Sequence, residues 1–221
     1  MDLSALDLPD TWAVLAWPLA LVLLLLHARR VEWTQLTERF PTHVWHGGIA
    51  TAVVLWSMQA TVSGNFTFHL LGMAGLTLTL GVPLAMISAA LVVAVHIGIH
   101  GGQWVNLAVV WLTLCASAIL TTGAVLRAAE RWLPPNFFIY IFVVAFLGTA
   151  LSLVCAGLLA LLAFAAVSDV PVGKALGQYA PYLIQLGFGE AMLTGMIVTL
   201  GVVYRPQWVS TFDDARYLKP R

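Results

Sequence analysis

The stretch that decides the fold is residues 70–98, "LLGMAGLTLTLGVPLAMISAALVVAVHIG". It has about 29 residues and carries no Asp, Glu, Lys or Arg. A helix needs roughly 20 apolar residues to cross a bilayer, so the stretch is longer than one crossing requires. Gly81 and Pro83 interrupt it, and proline lacks the amide donor and disfavours a helical residue before it. The stretch therefore predicts two short or tilted helices that form a hairpin.

The composition places the whole chain in a membrane. Of its 221 residues, 61% are hydrophobic and only 9% are charged, whereas soluble domains carry about 25% charged residues. In lipid every backbone polar group must be bonded within the protein, which favours helices. The net charge of zero provides no basic surface for nucleic acid. We therefore expect an all-α integral membrane protein.

Five further apolar segments complete the predicted bundle. They cover residues 11–27, 46–62, 104–126, 136–167 and 181–204. With the hairpin, they give about seven transmembrane segments, two of them short, in one compact bundle. We expect a single membrane domain over residues 1–221, with an external N-terminal segment at 1–10, the bundle at 11–204 and a cytoplasmic tail at 205–221.

The basic residues predict the orientation. If the N-terminus is outside and the chain crosses seven times, Lys174 is the single basic residue outside and the other nine lie inside. This distribution follows the positive-inside rule. The opening "MDLSALDLPD" has no basic region of the kind that begins a signal peptide, so the first segment is interpreted as a retained helix. We expect a multi-pass protein of the plasma (inner) membrane with a cytoplasmic C-terminus.

Three histidines and one glutamate are the candidate functional residues. His69 begins a helix at the predicted outer face, and neutral imidazole is a common metal ligand. His96 and His100 are four residues apart, which places them on one helix face. Glu190 lies inside the last segment, where a carboxylate requires a partner or a role. The alternatives are structural: an interfacial His69, a buried His96 bonded to a carbonyl, a loop His100 and a glutamate that bonds a neighbouring helix.

Most of the chain resembles a known transporter family. The sequence from Gly64, "GNFTFHLLGMAGLTLTLGVPLAMISAALVVAVHIGIHGGQWVNLAVVWL", is similar to the CbiM/NikM-type substrate-capture proteins of energy-coupling factor transporters for cobalt and nickel. The shared parts are Gly64, the His-Leu-Leu-Gly element at 69–72, the break at 81–83, the Gly-Gly turn at 101–102, and Asn106. Near the C-terminus, "GEAMLTGMIVTL" at 189–200 resembles the family's Gly-Glu-Ala segment.

The resemblance implies a metal site at the outer face. The family binds its ion with a histidine that matches His69, together with the N-terminal amine, here of Met1, and a histidine at position two. In this chain Asp2 stands at that position, so a carboxylate replaces the imidazole. His96 and His100 are candidates to complete the ligand set. Three polar residues are expected to support the site without binding the ion: Asn65, Asn106 and Glu190.

The resemblance also implies partners. Ala16 and Ala20 match the spacing of an alanine pattern by which the family's first helix meets the transmembrane coupling subunit. Packing within the bundle is the alternative, since small residues allow close helix approach in either case. The sequence contains no Gly-x-x-x-x-Gly-Lys-Ser/Thr phosphate loop, so ATPase activity would belong to separate subunits. We expect a transporter component that is not an enzyme and has no permanent cofactor, with a divalent nickel or cobalt ion as the transported substrate.

Two other functions are consistent with the residues. Paired histidines could ligate haem or copper in a membrane redox protein, although the chain has no Cys-x-x-Cys-His attachment site. Alternatively, the family fold is retained and metal binding is lost, as Asp2 could indicate. The visible absorption spectrum and the metal content of the purified protein distinguish these cases.

Overall fold

The computed structural model describes residues 3–4, 6–33, 42–62, 66–168 and 170–218, and this part of the chain is almost entirely helical. A short antiparallel pair of strands, β1 (Ala60–Val62) and β2 (Phe66–Phe68), precedes the third helix. The helices are α1 (Asp10–Ala28), α2 (Thr42–Ser57), α3 (Met73–Leu80), α4 (Val82–His100), α5 (Trp104–Trp132), α6 (Phe137–Val167), α7 (Val172–Tyr204) and α8 (Asp214–Tyr217).

Five of these helices are long and apolar enough to cross a bilayer: α1, α4, α5, α6 and α7. Large apolar side chains cover their outer surface, as with Val14 and Leu15 of α1, which are 69% and 74% exposed. Such a surface is stable in lipid and unstable in water. The chain is therefore a multi-pass, all-α membrane bundle. The two remaining helices of the bundle, α2 with 16 residues and α3 with 8, are shorter than these five.

The break in the deciding stretch occurs where the sequence predicts it. Helix α3 ends at Leu80, Gly81 has a φ of +77°, and α4 begins at Val82 with Pro83 in its first turn. Glycine adopts this left-handed φ without the clash that a Cβ introduces. However, α4 has 19 residues, so only the first of the two helices is short. The seven crossings and the hairpin arrangement stay predictions.

Several predicted segment boundaries are wrong. Helix α5 ends at Trp132, beyond residue 126, and His69 lies in the loop before α3 rather than at the beginning of a helix. Helix α2 ends at Ser57, and residues 60–62, predicted as helix, form β1. Helix α7 begins at Val172, so Pro181 lies inside it rather than at its start. The added first turns bury Ala175 and Tyr179, and Tyr179 stacks on Phe68 with ring centroids 5.0 Å apart. This burial of apolar and aromatic surface outweighs the loss of one helical hydrogen bond at the proline.

Helix α6 packs between α5 and α7, while α1 packs against α4 and the beginning of α5. The chain after α7 returns to the bundle and does not extend away from it. Val209 and Phe212 are buried, and the Thr211 hydroxyl donates a hydrogen bond of 2.7 Å to the Leu78 carbonyl. This end of the molecule, where α3 meets residues 206–217, lies opposite the end that carries the candidate histidines.

Candidate metal centre

Three histidine side chains lie next to one another at one end of the bundle. The ring centroids of His69 and His96 are 6.0 Å apart, and those of His96 and His100 are 4.8 Å apart. His69 and His96 are buried, whereas His100 is exposed. His96 and His100 share a face because they are about one turn apart on α4. His96 therefore lies beside both an exposed imidazole and a buried one.

Trp56 of α2 holds two of these rings in place. Its side chain is fully buried, with ring centroids 4.5 Å from His69 and 5.2 Å from His96. Its indole N–H donates a 2.9 Å hydrogen bond to the Leu71 carbonyl, so it also fixes the loop after His69. Sequence reasoning missed Trp56. Its one signal is a position near the end of an apolar segment, where tryptophan is commonly a membrane-interface anchor.

The loop between β2 and α3 is attached to α7 through Glu190. One carboxylate oxygen accepts the N–H of Leu71 and the other accepts the N–H of Gly72, both at 2.6 Å. Glu190 is only 2% exposed, so water competes little for these bonds. Hydrogen bonds from backbone amides to a carboxylate are short and strong. Glu190 thus restrains the backbone two and three residues after His69.

The N-terminal segment is packed into this end of the bundle. Leu3 and Ser4 are 0% and 2% exposed. The Asn106 side-chain amide lies 3.3, 3.2 and 2.7 Å from the carbonyl oxygens of Leu3, Ser4 and Leu6, respectively. Asn106 therefore anchors the chain directly after its first two residues.

Gly102 permits this close approach of the N-terminal segment. A Cβ at Gly102 would lie 2.9 Å from the side chain of Ser4, which is too close for an ordinary contact. In addition, the Gln103 N–H donates a 2.8 Å hydrogen bond to the Ser4 carbonyl. The turn between α4 and α5 is thus shaped around the N-terminal segment.

The described residues include only part of the predicted metal site. Met1, Asp2 and Asn65 of the predicted site lie outside them. Within residues 3–4, 6–33, 42–62, 66–168 and 170–218, no three His, Cys, Asp or Glu side chains converge closely enough to hold an ion. The pair that the fold brings together in a buried position is His69 and His96. Imidazole suits nickel, copper, zinc and iron.

The two alanines of the predicted coupling surface are buried within the chain itself. Ala16 is 8% exposed and Ala20 is 3% exposed. Ala16 also borders a surface groove of about 270 Å³ between α1 and α5, which Trp12 and Leu112 line as well. The alanine face thus brings α1 close to its own bundle. Contact of this region with a coupling subunit stays a prediction.

Comparisons with known proteins show the family and the fold of the chain. The family model described as CbiM, cobalt uptake substrate-specific transmembrane region, matches residues 4–208. A solved structure described as a truncated transition metal transporter has a TM-score of 0.75 and 16% identity, covering 89% of this chain and 96% of that one. A second, described as a transition metal transporter, has a TM-score of 0.73 and 16% identity, covering 87% and 88%. No curated protein sequence matches the chain significantly.

Proposed function

Because the chain belongs to the CbiM family of cobalt-uptake substrate-specific transmembrane proteins, we propose that it is the substrate-binding component of an energy-coupling factor ABC transporter. Its substrate is a divalent transition metal ion, with nickel or cobalt favoured by the family. The observation that carries the proposal is the buried pair His69 and His96. Trp56 packs against both rings at the end of the bundle where the N-terminal segment enters.

The ligand chemistry follows from the donors present. His69 supplies an imidazole from the loop that Glu190 restrains, and His96 supplies a second from α4. Met1 and Asp2 precede the anchored residue Leu3 and contribute the remaining donors, an amine and a carboxylate. Relative to the family's usual set, this ligand set has the same number of imidazoles and an additional carboxylate oxygen, which makes it harder in character and changes the order in which it ranks metals.

His100 is a peripheral member of this site. It is exposed and its ring contacts His96. We assign it to the outer approach to the buried pair, where an incoming hydrated ion first meets an imidazole. The ion is then retained by the buried donors.

ATP-driven transport would require partners, because the sequence contains no phosphate-binding loop for ATP. We propose a transmembrane coupling subunit and ATPase subunits, with α1 near Ala16 and Ala20 as the contact region. The bundle lies in the plasma (inner) membrane with the histidine end outside and the C-terminus cytoplasmic. This orientation agrees with the positive-inside distribution of Lys and Arg.

The experiment that tests this proposal is elemental analysis of the protein purified with its co-expressed partners. We expect about one nickel or cobalt ion per chain in the wild type and loss of that ion in His69→Ala. His46→Ala is the matched control, because His46 is exposed on α2 and forms a hydrogen bond within its own helix at the Thr42 carbonyl.

Three results would contradict the proposal. Equal metal content in His69→Ala and wild type would exclude His69 from the site. A Soret band in the visible spectrum would indicate a haem protein instead. Absence of any metal from the wild type, after growth with both ions, would indicate a family member that has lost metal binding.

A further inference from the structure

An open groove runs along one side of the bundle between α2, α3 and α7. Its volume is about 560 Å³, within the size range of pockets that bind small molecules. One end of the groove is at Gly72, beside the loop of the candidate metal centre, and the other is at Arg205 and Trp208. The groove therefore follows the long axis of the bundle over much of its length.

The wall of the groove is suited to hydrocarbon. Leu76, Ile197 and Leu200 supply apolar side chains. The hydroxyl groups of Thr51 and Thr79 donate to carbonyl oxygens of their own helices, at Gly47 and Gly75, both at 2.8 Å. Because these two hydroxyl groups are already hydrogen-bonded within their own helices, they are poor ligands for an ion. A chain of methylene groups fits this lining.

The end of the groove away from the metal centre is polar and basic. Arg205 lies there with His43, whose ring meets the Trp208 ring edge to face at a centroid distance of 5.4 Å. Tyr204 and Trp208 are 73% and 37% exposed, and such aromatic residues mark the headgroup level of a bilayer. Among the residues with described positions, no carboxylate forms an ion pair with Arg205. A guanidinium at this level is available for a phosphate.

We propose that this groove binds one anionic glycerophospholipid, with an acyl chain along the apolar wall and the phosphate group at Arg205. Basic pockets between transmembrane helices bind anionic headgroups in this way. The site is separate from the proposed metal function, since no candidate metal ligand lines it.

The test is native mass spectrometry of the detergent-purified full chain titrated with phosphatidylglycerol or phosphatidylcholine of identical acyl chains. We expect phosphatidylglycerol to bind the wild type with one high-affinity site and phosphatidylcholine to bind more weakly. Arg205→Gln should weaken phosphatidylglycerol binding about tenfold, because it removes a charge-assisted hydrogen bond. Arg131→Gln, an exposed arginine outside the groove, should leave it unchanged.

A second variant tests the groove independently of charge. Gly47 lines the groove and a Cβ there meets nothing within 4 Å, so Gly47→Leu adds apolar volume at the groove wall and improves helix propensity. It should reduce the binding of both lipids. Gly177→Leu is the matched control, since Gly177 is also helical and open but lies outside the groove.

Equal binding of the two lipids, unaffected by both Arg205→Gln and Gly47→Leu, would overturn the proposal and indicate ordinary annular lipid. The groove could also hold a helix of another chain. In that case Gly47→Cys, in membranes that contain the whole transporter, would crosslink to a polypeptide and would not be protected from maleimide by added phosphatidylglycerol. That result would also overturn the lipid assignment.

Discussion

Oxygen Oε1 of Glu190 accepts the backbone N–H of Gly72 at 2.6 Å, across a sequence separation of 118 residues. The other oxygen accepts the N–H of Leu71 at the same distance. The carboxylate thereby connects the long helix α7 to the short loop that carries His69. Since both oxygens act as acceptors for backbone donors, an acceptor-only side chain is required at this position.

Glu190→Gln tests this requirement. The amide keeps one acceptor but turns an NH₂ group toward the second backbone N–H, which loses its partner in a buried place. An unsatisfied buried donor costs about 1–3 kcal/mol. We expect weaker metal binding, measured by competition with a metal-sensitive dye, and a lower unfolding temperature. Glu130→Gln is the control, because Glu130 forms an ion pair of 3.4 Å with Arg216 at the other end of the molecule, away from the candidate histidines. Unchanged metal affinity in Glu190→Gln would show that Glu190 does not support metal binding.

Substitution of Gly72 should weaken metal binding, as substitution of its hydrogen-bond partner Glu190 should. Its φ of +68° is left-handed, and a Cβ there would lie 3.0 Å from Leu55 Cδ1. The left-handed conformation costs an L-residue about 1–2 kcal/mol, so Gly72→Ala should destabilise the fold and displace the loop that carries His69. Gly81→Ala is the matched control. It has a φ of +77° at the opposite end of α3, with Ser210 Oγ at 3.6 Å.

Both glycine variants should unfold at a lower temperature than the wild type. Only Gly72→Ala should also bind metal more weakly, as measured by isothermal titration calorimetry. If Gly72→Ala and Gly81→Ala lose metal affinity equally, the conformation of the loop at Gly72 has no specific effect on ion binding.

The sequence predicts the helical framework because apolar length and proline position are local properties. The segment predicted at 136–167 matches Phe137–Val167, and the break near Pro83 follows from the chemistry of proline alone. The start of α7 is not predictable in this way. Its first turns are held by burial of Tyr179 against Phe68, residues more than one hundred positions apart. The proline at 181, taken alone, indicates instead that the helix begins there.

In the candidate site too, the features set by local spacing are predictable from the sequence, and those set by long-range packing are not. The proximity of His96 and His100 follows from helix periodicity, and the structure places the two rings 4.8 Å apart. The contacts of Trp56 with His69 and of Asn106 with Leu3 depend on how distant segments pack. Those contacts involve residue types that are common in any membrane helix or loop. Their pattern in the sequence therefore carries no specific signal.

Asn106 should control the position of the N-terminal segment. Asn106→Ala removes the amide that bonds three N-terminal carbonyl groups, so we expect Leu3 and Ser4 to become accessible and bound metal to be lost. Ser4→Cys provides a nearly isosteric probe, because Ser4 is 2% exposed. Its maleimide labelling rate, measured in a Cys155→Ser background, should rise strongly in Asn106→Ala.

Asn136→Ala is the control for that experiment. Asn136 caps the beginning of α6 by accepting the Phe138 N–H at 2.7 Å, far from the N-terminal segment. This variant removes an equal side chain and should leave the labelling rate at Ser4→Cys unchanged. A slow labelling rate in Asn106→Ala would show that the burial of Leu3 and the Gln103–Ser4 hydrogen bond anchor the segment without Asn106.

His96 and His100 should differ in their effects on metal binding, although they lie on the same face of α4. His96 is 1% exposed and contacts both Trp56 and His69, whereas His100 is exposed. A buried imidazole is already desolvated and restrained by its neighbours, so it loses little entropy when it binds an ion. We expect His96→Ala to increase the dissociation rate of bound nickel or cobalt at least tenfold. His100→Ala should change mainly the association rate. Stopped-flow loading and chelator-driven release measure the two rates separately, and faster release from His100→Ala than from His96→Ala would reverse these assignments.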